Sequence, residues 1–386
     1  MTGVSADSPP SDDRSANARS PWIWPDDALL PTSRLKAAKL ALLRLAKKTG
    51  LSGAMRDGAW RRRRLLILAY HGISITDEHE WSPELYLPHD GLRARFELLR
   101  DEGYNVVSLR EGVERLRAGT LPPRSVALTF DDGMVDFQRA VPLLQEFRFP
   151  ATVFVTTYYA QKQVPVFKIT CRYFLWIGRG TTISGDGLTS NGQPLALNTE
   201  RERYDALTAM EQRLSLADGG VDEEQATLRL LAERVGANFD TFIANRQLQI
   251  MSGDEIRSLP RDLIDVQLHT HRHRVPTREA SFQREIIENR DAISAWRPGE
   301  PLDIFCYPSG VTSPQFLPWL RDLNIQVGLT CKSGLAASHM NPLLLPRLID
   351  STRMTRLEFE SWLSGTATLI PPLPRRNLYQ VAPVPD

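Results

Sequence analysis

The sequence predicts an α/β fold of parallel strands joined by helical crossovers. Two observations predict it. From Leu65 onward, short apolar β-prone runs alternate with helix-patterned stretches, which implies parallel strands. In addition, four of the apolar runs end in residues with chemical potential: His71, Asp131-Asp132, His269-x-x-x-His273 and Pro308-Ser309-Gly310. In a parallel α/β barrel the C-terminal strand ends open on one mouth. These four groups, distant in sequence, are therefore expected to meet in space.

Composition sets the bounds. A chain of 386 residues suits one large domain or two ordinary ones. A net charge of +1 offers no bulk attraction for nucleic acid, so no nucleic-acid partner is expected. Cys171, Cys306 and Cys331 are odd in number and far apart, which argues against a disulfide framework or a structural zinc site. Met1 to Asp27 is rich in Ser, Pro and Asp and has no apolar h-region. No apolar run is long enough to span a bilayer. A cytoplasmic protein is expected.

Taken in order, residues 1–32 have the composition of a disordered segment. Residues 33–62 read as a basic helical extension. Ser33 is placed to cap a helix from Arg34 to Lys48, stopped by Gly50. Its basic residues suit an anionic membrane surface, giving a peripheral location at the inner membrane face. The loose segregation of basic from apolar residues favours packing on the domain instead. The first half of the barrel is expected over 63–159. Leu65–Tyr70 is a strand, Asp90–Gly103 a helix, Asn105–Leu109 a short strand and Glu111–Ala118 a helix. Val126–Phe130 is the strand carrying Asp131-Asp132, Phe137–Phe147 a helix and Ala151–Val155 a strand. The alternation lapses over 160–250, which reads as a largely helical insertion that opens with Phe167, Tyr173, Phe174 and Trp176. The second half follows over 251–352. Ser252 and Glu255 form a capping box ahead of a helix to Leu259. Strands at Leu263–Leu268, Leu302–Tyr307, Gln326–Thr330 and Leu344–Ile349 alternate with helices at Phe282–Trp296 and Gln315–Leu323. Residues 353–386 read as a C-terminal tail.

Two adjacent carboxylates at the end of an apolar strand cannot both stay ionised without a cation or a hydrogen-bond network. A strand end facing water is the competing reading of Asp131-Asp132 alone. His269 and His273 have metal-ligand spacing and can face one ion if the backbone turns helically between them. His271 then points away. Two imidazoles and one carboxylate leave open positions for water and substrate, which suits a catalytic site. The second carboxylate is free to act as a base.

Leu128–Gly133, His269-Thr270-x-x-His273 and Phe305-x-Tyr-Pro-x-Gly310 resemble the first three motifs of the polysaccharide deacetylases, the NodB-homology carbohydrate esterases of family 4. Ala151–Val155 and Leu99–Leu109 add to the likeness, which runs from about Leu65 to Asp350. The resemblance implies a distorted (β/α)7-type barrel and a hydrolase that removes acetyl groups from sugars with a divalent metal. Zn2+ is the expected ion, with Co2+, Mn2+ or Ni2+ as alternatives. It makes Asp132, His269 and His273 the metal ligands and Asp131 the general base. It gives the backbone N–H of Ser309 to the oxyanion. The arginine that orients the base in many members is replaced here by Cys306; Arg347 is a candidate substitute, with an ordinary surface arginine as the alternative. A late Leu-x-x-His supplying the acid is also missing. Tyr70-His71 instead resembles the branch with Tyr-His after the first strand, and His71 is the one remaining histidine in register with the site. The expected substrate is an acetylated carbohydrate, an oligomer or polysaccharide of biosynthetic origin such as an exopolysaccharide intermediate. The expected reaction is N-deacetylation. An O-acetyl esterase and an inactive carbohydrate-binding homologue are the alternatives. Retention of the base and all three ligands speaks against the last.

Overall fold

The computed structural model describes residues 22–25, 33–217 and 220–371. Its organising strand is β1 (Arg64–Tyr70), buried from Leu65 to Tyr70. A strand paired on both edges and covered on both faces has no reason to alternate polar and apolar residues. β2 (Ser125–Phe130) lies parallel to it, from Leu66 opposite Val126 to Tyr70 opposite Phe130. β3 (Ala151–Val155), β4 (Ile264–Leu268), β5 (Ile304–Cys306) and β6 (Val327–Leu329) follow in sequence order, every pairing parallel. β7 (Leu348–Ile349) pairs with the other edge of β1, and Leu345 just before it bridges Leu329 of β6. The sheet so curls back on itself into the distorted barrel that the sequence predicts. Ala336–Ala337, antiparallel to the start of β1, makes the sheet mixed.

Three helices precede the barrel: α1 (Arg34–Lys48), α2 (Leu51–Asp57) and α3 (Ala59–Arg62). Ser33 caps α1 by accepting from the Lys36 N–H. Leu40 and Leu43 are buried where α1 meets the C-terminal helices. The crossovers of the first half are α4 (His89–Asp101), α5 (Leu109–Ala118) and α6 (Val141–Phe147). Two boundaries differ from the sequence reading. The run Asn105–Leu109 pairs only at Asn105–Val106, because Ser108 accepts from the Glu111 N–H and starts α5. The helix expected over Phe137–Phe147 is a 3-10 turn (Val135–Arg139) and then α6, which opens with Pro142 in its first turn.

The insertion connects β3 to β4, which are neighbours in the sheet. It holds α7 (Phe167–Ile177), a hairpin of Thr182–Ile183 with Leu195–Ala196, α8 (Glu200–Ala217), α9 (Gly220–Arg234) and a short helix Phe239–Ala244. Phe167 and Phe174 are buried, and Phe174 packs on Phe239 and Phe242. Phe174 is therefore part of the insertion's own core. Tyr173 instead reaches Trp81 in the loop after β1, with ring centroids 5.4 Å apart. Its two ends are tied down by bridges between Pro165 and Gln249 and between Met134 and Ile250.

The second half continues with α10 (Glu279–Trp296) and α11 (Phe316–Asp322). The strand expected over Leu344–Ile349 is confined to β7, because Pro346 has no N–H for a ladder. The tail expected from 353 is corrected: it contains α12 (Arg356–Ser364), opened by a Thr355/Glu358 capping box. The disordered segment expected over 1–32 lies outside the described residues except for 22–25, where the Trp24 ring packs on Phe359 and under Arg95. Residues 372–386 also lie outside them.

Candidate active site

β1, β2, β4 and β5 deliver their C-terminal residues to one mouth. Asp131 directly follows β2, and its N–H donates to the Tyr70 carbonyl at 2.9 Å, extending the β1–β2 ladder by one step. Asp132 and Gly133 then turn the chain with φ of 71° and 75°. A Cβ at Gly133 would lie 2.9 Å from Val155 Cγ2 and 3.2 Å from its Cα, so glycine alone fits this close approach to β3. Thr270 (φ 63°), His273 (φ 53°) and Ser309 (φ 54°) are also left-handed. Four non-glycine residues of one mouth hold backbone that costs about 1–3 kcal/mol each, which marks a functional site better than a stability device.

The two carboxylates face different partners. Arg347 donates to both oxygens of Asp131, Nη1 to Oδ1 at 2.7 Å and Nη2 to Oδ2 at 2.8 Å. Arg347 is fully buried and Asp131 nearly so. The arginine is fixed in turn by the Thr330 carbonyl, the Thr129 hydroxyl and Cys306 Sγ. Burial works to raise the Asp131 carboxyl, but the Arg347 guanidinium outweighs it and holds the group at about 2. The sequence left Arg347 open between base partner and surface arginine; it is interior, on the carboxylate. Cys306, in the position where many relatives carry arginine, has its thiol 3.6 Å from Asp131 Oδ2 and pushed up by burial.

Asp132 faces the histidines. The Nε2 atoms of His269 and His273 both lie 3.2 Å from its Oδ1. His269 Nδ1 is 2.8 Å from the Cys306 carbonyl. A carbonyl only accepts, so Nδ1 carries the proton and a neutral His269 turns the lone pair of Nε2 toward an acceptor oxygen. That oxygen, Asp132 Oδ1, is buried and accepts no hydrogen bond among the described residues. Two ring nitrogens converging on an orphaned carboxylate oxygen fit a divalent cation bound by Asp132, His269 and His273, with a backbone carbonyl fixing the tautomer of one ligand. Burial opposes charge on both Asp132 and His273, yet each stabilises the other: the Asp132 carboxyl is held well below its usual range and the His273 imidazole above its own. A second grouping, Asp131 with His269 and Cys306, also lies within metal-ligand reach. Its donors are committed to Arg347 and to the Cys306 carbonyl, so the first grouping is the better site.

His271 turns away as expected, its Nδ1 2.7 Å from the Thr157 hydroxyl. His71 ends β1 with Nε2 3.8 Å from Asp131 Oδ2. Burial lowers its pKa, against the pull of Asp131 and Asp132, so the imidazole is neutral at rest. Ser309 sits exposed on the turn Pro308–Gly310 after β5.

Sequence reasoning missed the support behind the histidines. Asn289 of α10 is fully buried; its Oδ1 accepts from the His269 N–H at 2.9 Å, and its amide donates to the Val155 carbonyl and the Thr157 hydroxyl. Glu285, one turn earlier, accepts from the Arg272 N–H and from Arg272 and Arg274 side chains. The signal was present: Asn289 interrupts the otherwise apolar stripe of Phe282, Ile286 and Ile293.

Residues 118–176, spanning β2, Asp131-Asp132 and β3, match the family described as Polysaccharide deacetylase. A stretch of 94 residues is 35% identical to the poly-beta-1,6-N-acetyl-D-glucosamine N-deacetylases of Escherichia coli K12 and O157:H7. Over these stretches the chain is similar to the polysaccharide deacetylases. The sequence match covers 24% of this chain and 14% of the E. coli proteins, so the chain spans about one seventh of the length of the curated relatives it matches. The chain also superposes on the Streptococcus pyogenes deacetylase PplD in complex with acetate, with a TM-score of 0.50 and 19% identity over 78% of this chain and 98% of that one. That likeness establishes the fold. Of the mouth described above, the family match itself takes in Asp131 and Asp132.

Proposed function

We propose that the chain is a metal-dependent hydrolase that removes N-acetyl groups from a sugar oligomer or polysaccharide. The observation that carries this reading is the division of labour between adjacent carboxylates. Asp132 faces two imidazole nitrogens, while Asp131 is held ionised by Arg347 beside them. The 35% identical stretch in a poly-beta-1,6-N-acetyl-D-glucosamine N-deacetylase supports a polymer of N-acetylated hexosamine as the substrate.

Asp132, His269 and His273 would hold the cation, with Zn2+ suited to two nitrogens and one oxygen. Such a cation supplies Lewis acidity to a carbonyl and lowers the pKa of water. Asp131, ionised across the neutral range, accepts the proton of the attacking water. Arg347 fixes the orientation of that carboxylate through its two parallel hydrogen bonds. The backbone N–H of Ser309, on the exposed left-handed turn after β5, would donate to the oxyanion. His71 delivers a proton to the departing nitrogen, since an amide anion is a poor leaving group. Being neutral at rest, His71 must first gain that proton, and Asp131 Oδ2 at 3.8 Å is the nearest donor once it has been protonated. The proton lost by water is then the one gained by the amine, and the reaction balances.

Acetate release tests the reading. The protein is supplied with Zn2+ and offered N-acetylglucosamine oligomers beside O-acetylated sugars. Release from the amide substrate, abolished by chelation, is expected. Release from O-acetyl esters alone would favour the esterase reading. No release from either, with sugar binding intact, would favour an inactive binding homologue.

A further inference from the structure

The three helices before the barrel form a second feature that the mouth does not use. Between Arg34 and Arg64 the chain has eleven Lys and Arg residues, with Asp57 the sole acid. The whole chain is only +1, so this segment carries +10 and the remainder a matching acidic excess of nine. Internal pairing uses part of the charge: Lys39 meets Glu358, Lys47 meets Glu360, and Arg61 is buried on the carbonyls of Leu363, Arg64 and Ser125. Arg34, Arg44, Lys48, Arg62 and Arg63 are exposed to solvent.

The same segment exposes apolar side chains. Leu35, Leu42 and Leu45 of α1 are 64%, 53% and 57% exposed, while Leu40 and Leu43 on the opposite side are buried. The exposed leucines, with Ala38, follow helical spacing and form one stripe. Arg34 and Lys48 lie along one edge of it on the helical wheel. Leu51, Trp60 and Leu369 extend the exposed apolar surface onto α2, α3 and the turn after α12. Among the described residues only Leu216 and Ile287 are large exposed apolar side chains outside this end of the molecule and Ile23 beside it. A nucleic-acid surface would need the cations but not the leucines. An apolar stripe edged by cations is the pattern of a helix lying in a lipid interface. No helix among the described residues is long and apolar enough to cross a membrane, so the helix would lie on the surface.

The placement is consistent with that use. α3 leads directly into the first residue of β1, and the catalytic groups follow its last. The basic platform and the mouth are therefore at opposite ends of a strand of seven residues, about 20 Å long.

We propose that α1, with α2 and α3, docks the protein on an anionic lipid surface and directs the deacetylase mouth away from it. The test is co-sedimentation of the full chain with phosphatidylglycerol/phosphatidylcholine vesicles and with pure phosphatidylcholine vesicles. Binding to the anionic vesicles alone is expected, weakening steeply with salt. Arg34→Glu/Lys48→Glu should lower partitioning more than 25-fold, on the basis of about five-fold per basic residue near such a surface. Leu42→Gln/Leu45→Gln, which keeps good helix formers, should also release the protein. Unchanged circular dichroism and melting temperature show that the variants fold. Absence of vesicle binding, binding indifferent to lipid charge, or binding that survives both double substitutions overturns the proposal. So does a concentration-dependent dimer abolished by Leu42→Gln/Leu45→Gln without any vesicle binding, which assigns the face to a second copy, or tighter binding to duplex DNA than to the vesicles. None of these outcomes depends on deacetylase activity.

Discussion

Replacing Arg347 with alanine removes two charge-assisted hydrogen bonds of 2.7 and 2.8 Å and leaves Asp131 buried without its cation. Linkage gives a lower bound on the cost. A carboxyl moved from 3.8 to about 2 contributes about 2 kcal/mol of stability at neutral pH. The orphaned charge adds to this, so Arg347→Ala should destabilise by about 3–5 kcal/mol. The pH dependence carries a sign. In the wild type the folded-state value lies below the unfolded one, so the contribution is complete above about pH 4 and is lost as pH falls toward 2. In the variant, burial without a cation raises the Asp131 carboxyl, and acid relieves the penalty. The gap between the two proteins is therefore widest at neutral pH and narrows on acidification. Urea unfolding followed by tryptophan fluorescence at pH 7, 5 and 3 measures it. A gap below about 1 kcal/mol at pH 7, or one that does not narrow in acid, would refute the reasoning. Arg347→Lys should fall between, since it keeps the charge and loses the planar fork.

Asn289→Leu keeps the volume but strips the His269 N–H of its acceptor; Zn2+ affinity by calorimetry should drop about 10–100-fold, with about 1–3 kcal/mol of stability lost to the buried orphan. His71→Ala should retain the metal and lose most turnover on N-acetyl sugars while losing far less on aryl acetates, whose leaving groups need little protonation; equal losses on both would assign His71 to structure or binding.

The barrel was legible because most of its strands are short apolar runs bounded by turn residues and alternating with helix-patterned stretches, as strands covered on both faces are. The mouth was legible because its chemistry ends those strands. Asp131, Asp132, His269, His273, His71 and Arg347 come together there, with Ser309 on the turn after β5. What sequence did not reveal depends on tertiary context. Arg347 lies between Pro346 and β7 among apolar neighbours, and only the pairing of β7 with β1 and of Leu345 with β6 brings it to Asp131. Asn289 lies 20 residues from His269, and no local rule links a helix interior to a strand end. α12 was legible in its Thr355-x-x-Glu358 box but was passed over in favour of the proline-rich run that follows. Of the aromatics that open the insertion, Phe174 is fixed as core by its burial on Phe239 and Phe242, a contact that only the folded insertion makes.

The central claim is that two adjacent carboxylates divide metal binding and proton transfer between them. Metal content and acetate release, measured side by side on Asp132→Ala and Asp131→Asn, test it most directly. The account predicts that Asp132→Ala loses both, with affinity falling by more than the about 10–100-fold typical of an outer-shell loss. It predicts that Asp131→Asn keeps stoichiometric metal and loses acetate release. Wild-type metal content in Asp132→Ala, or sustained acetate release by Asp131→Asn, would contradict it.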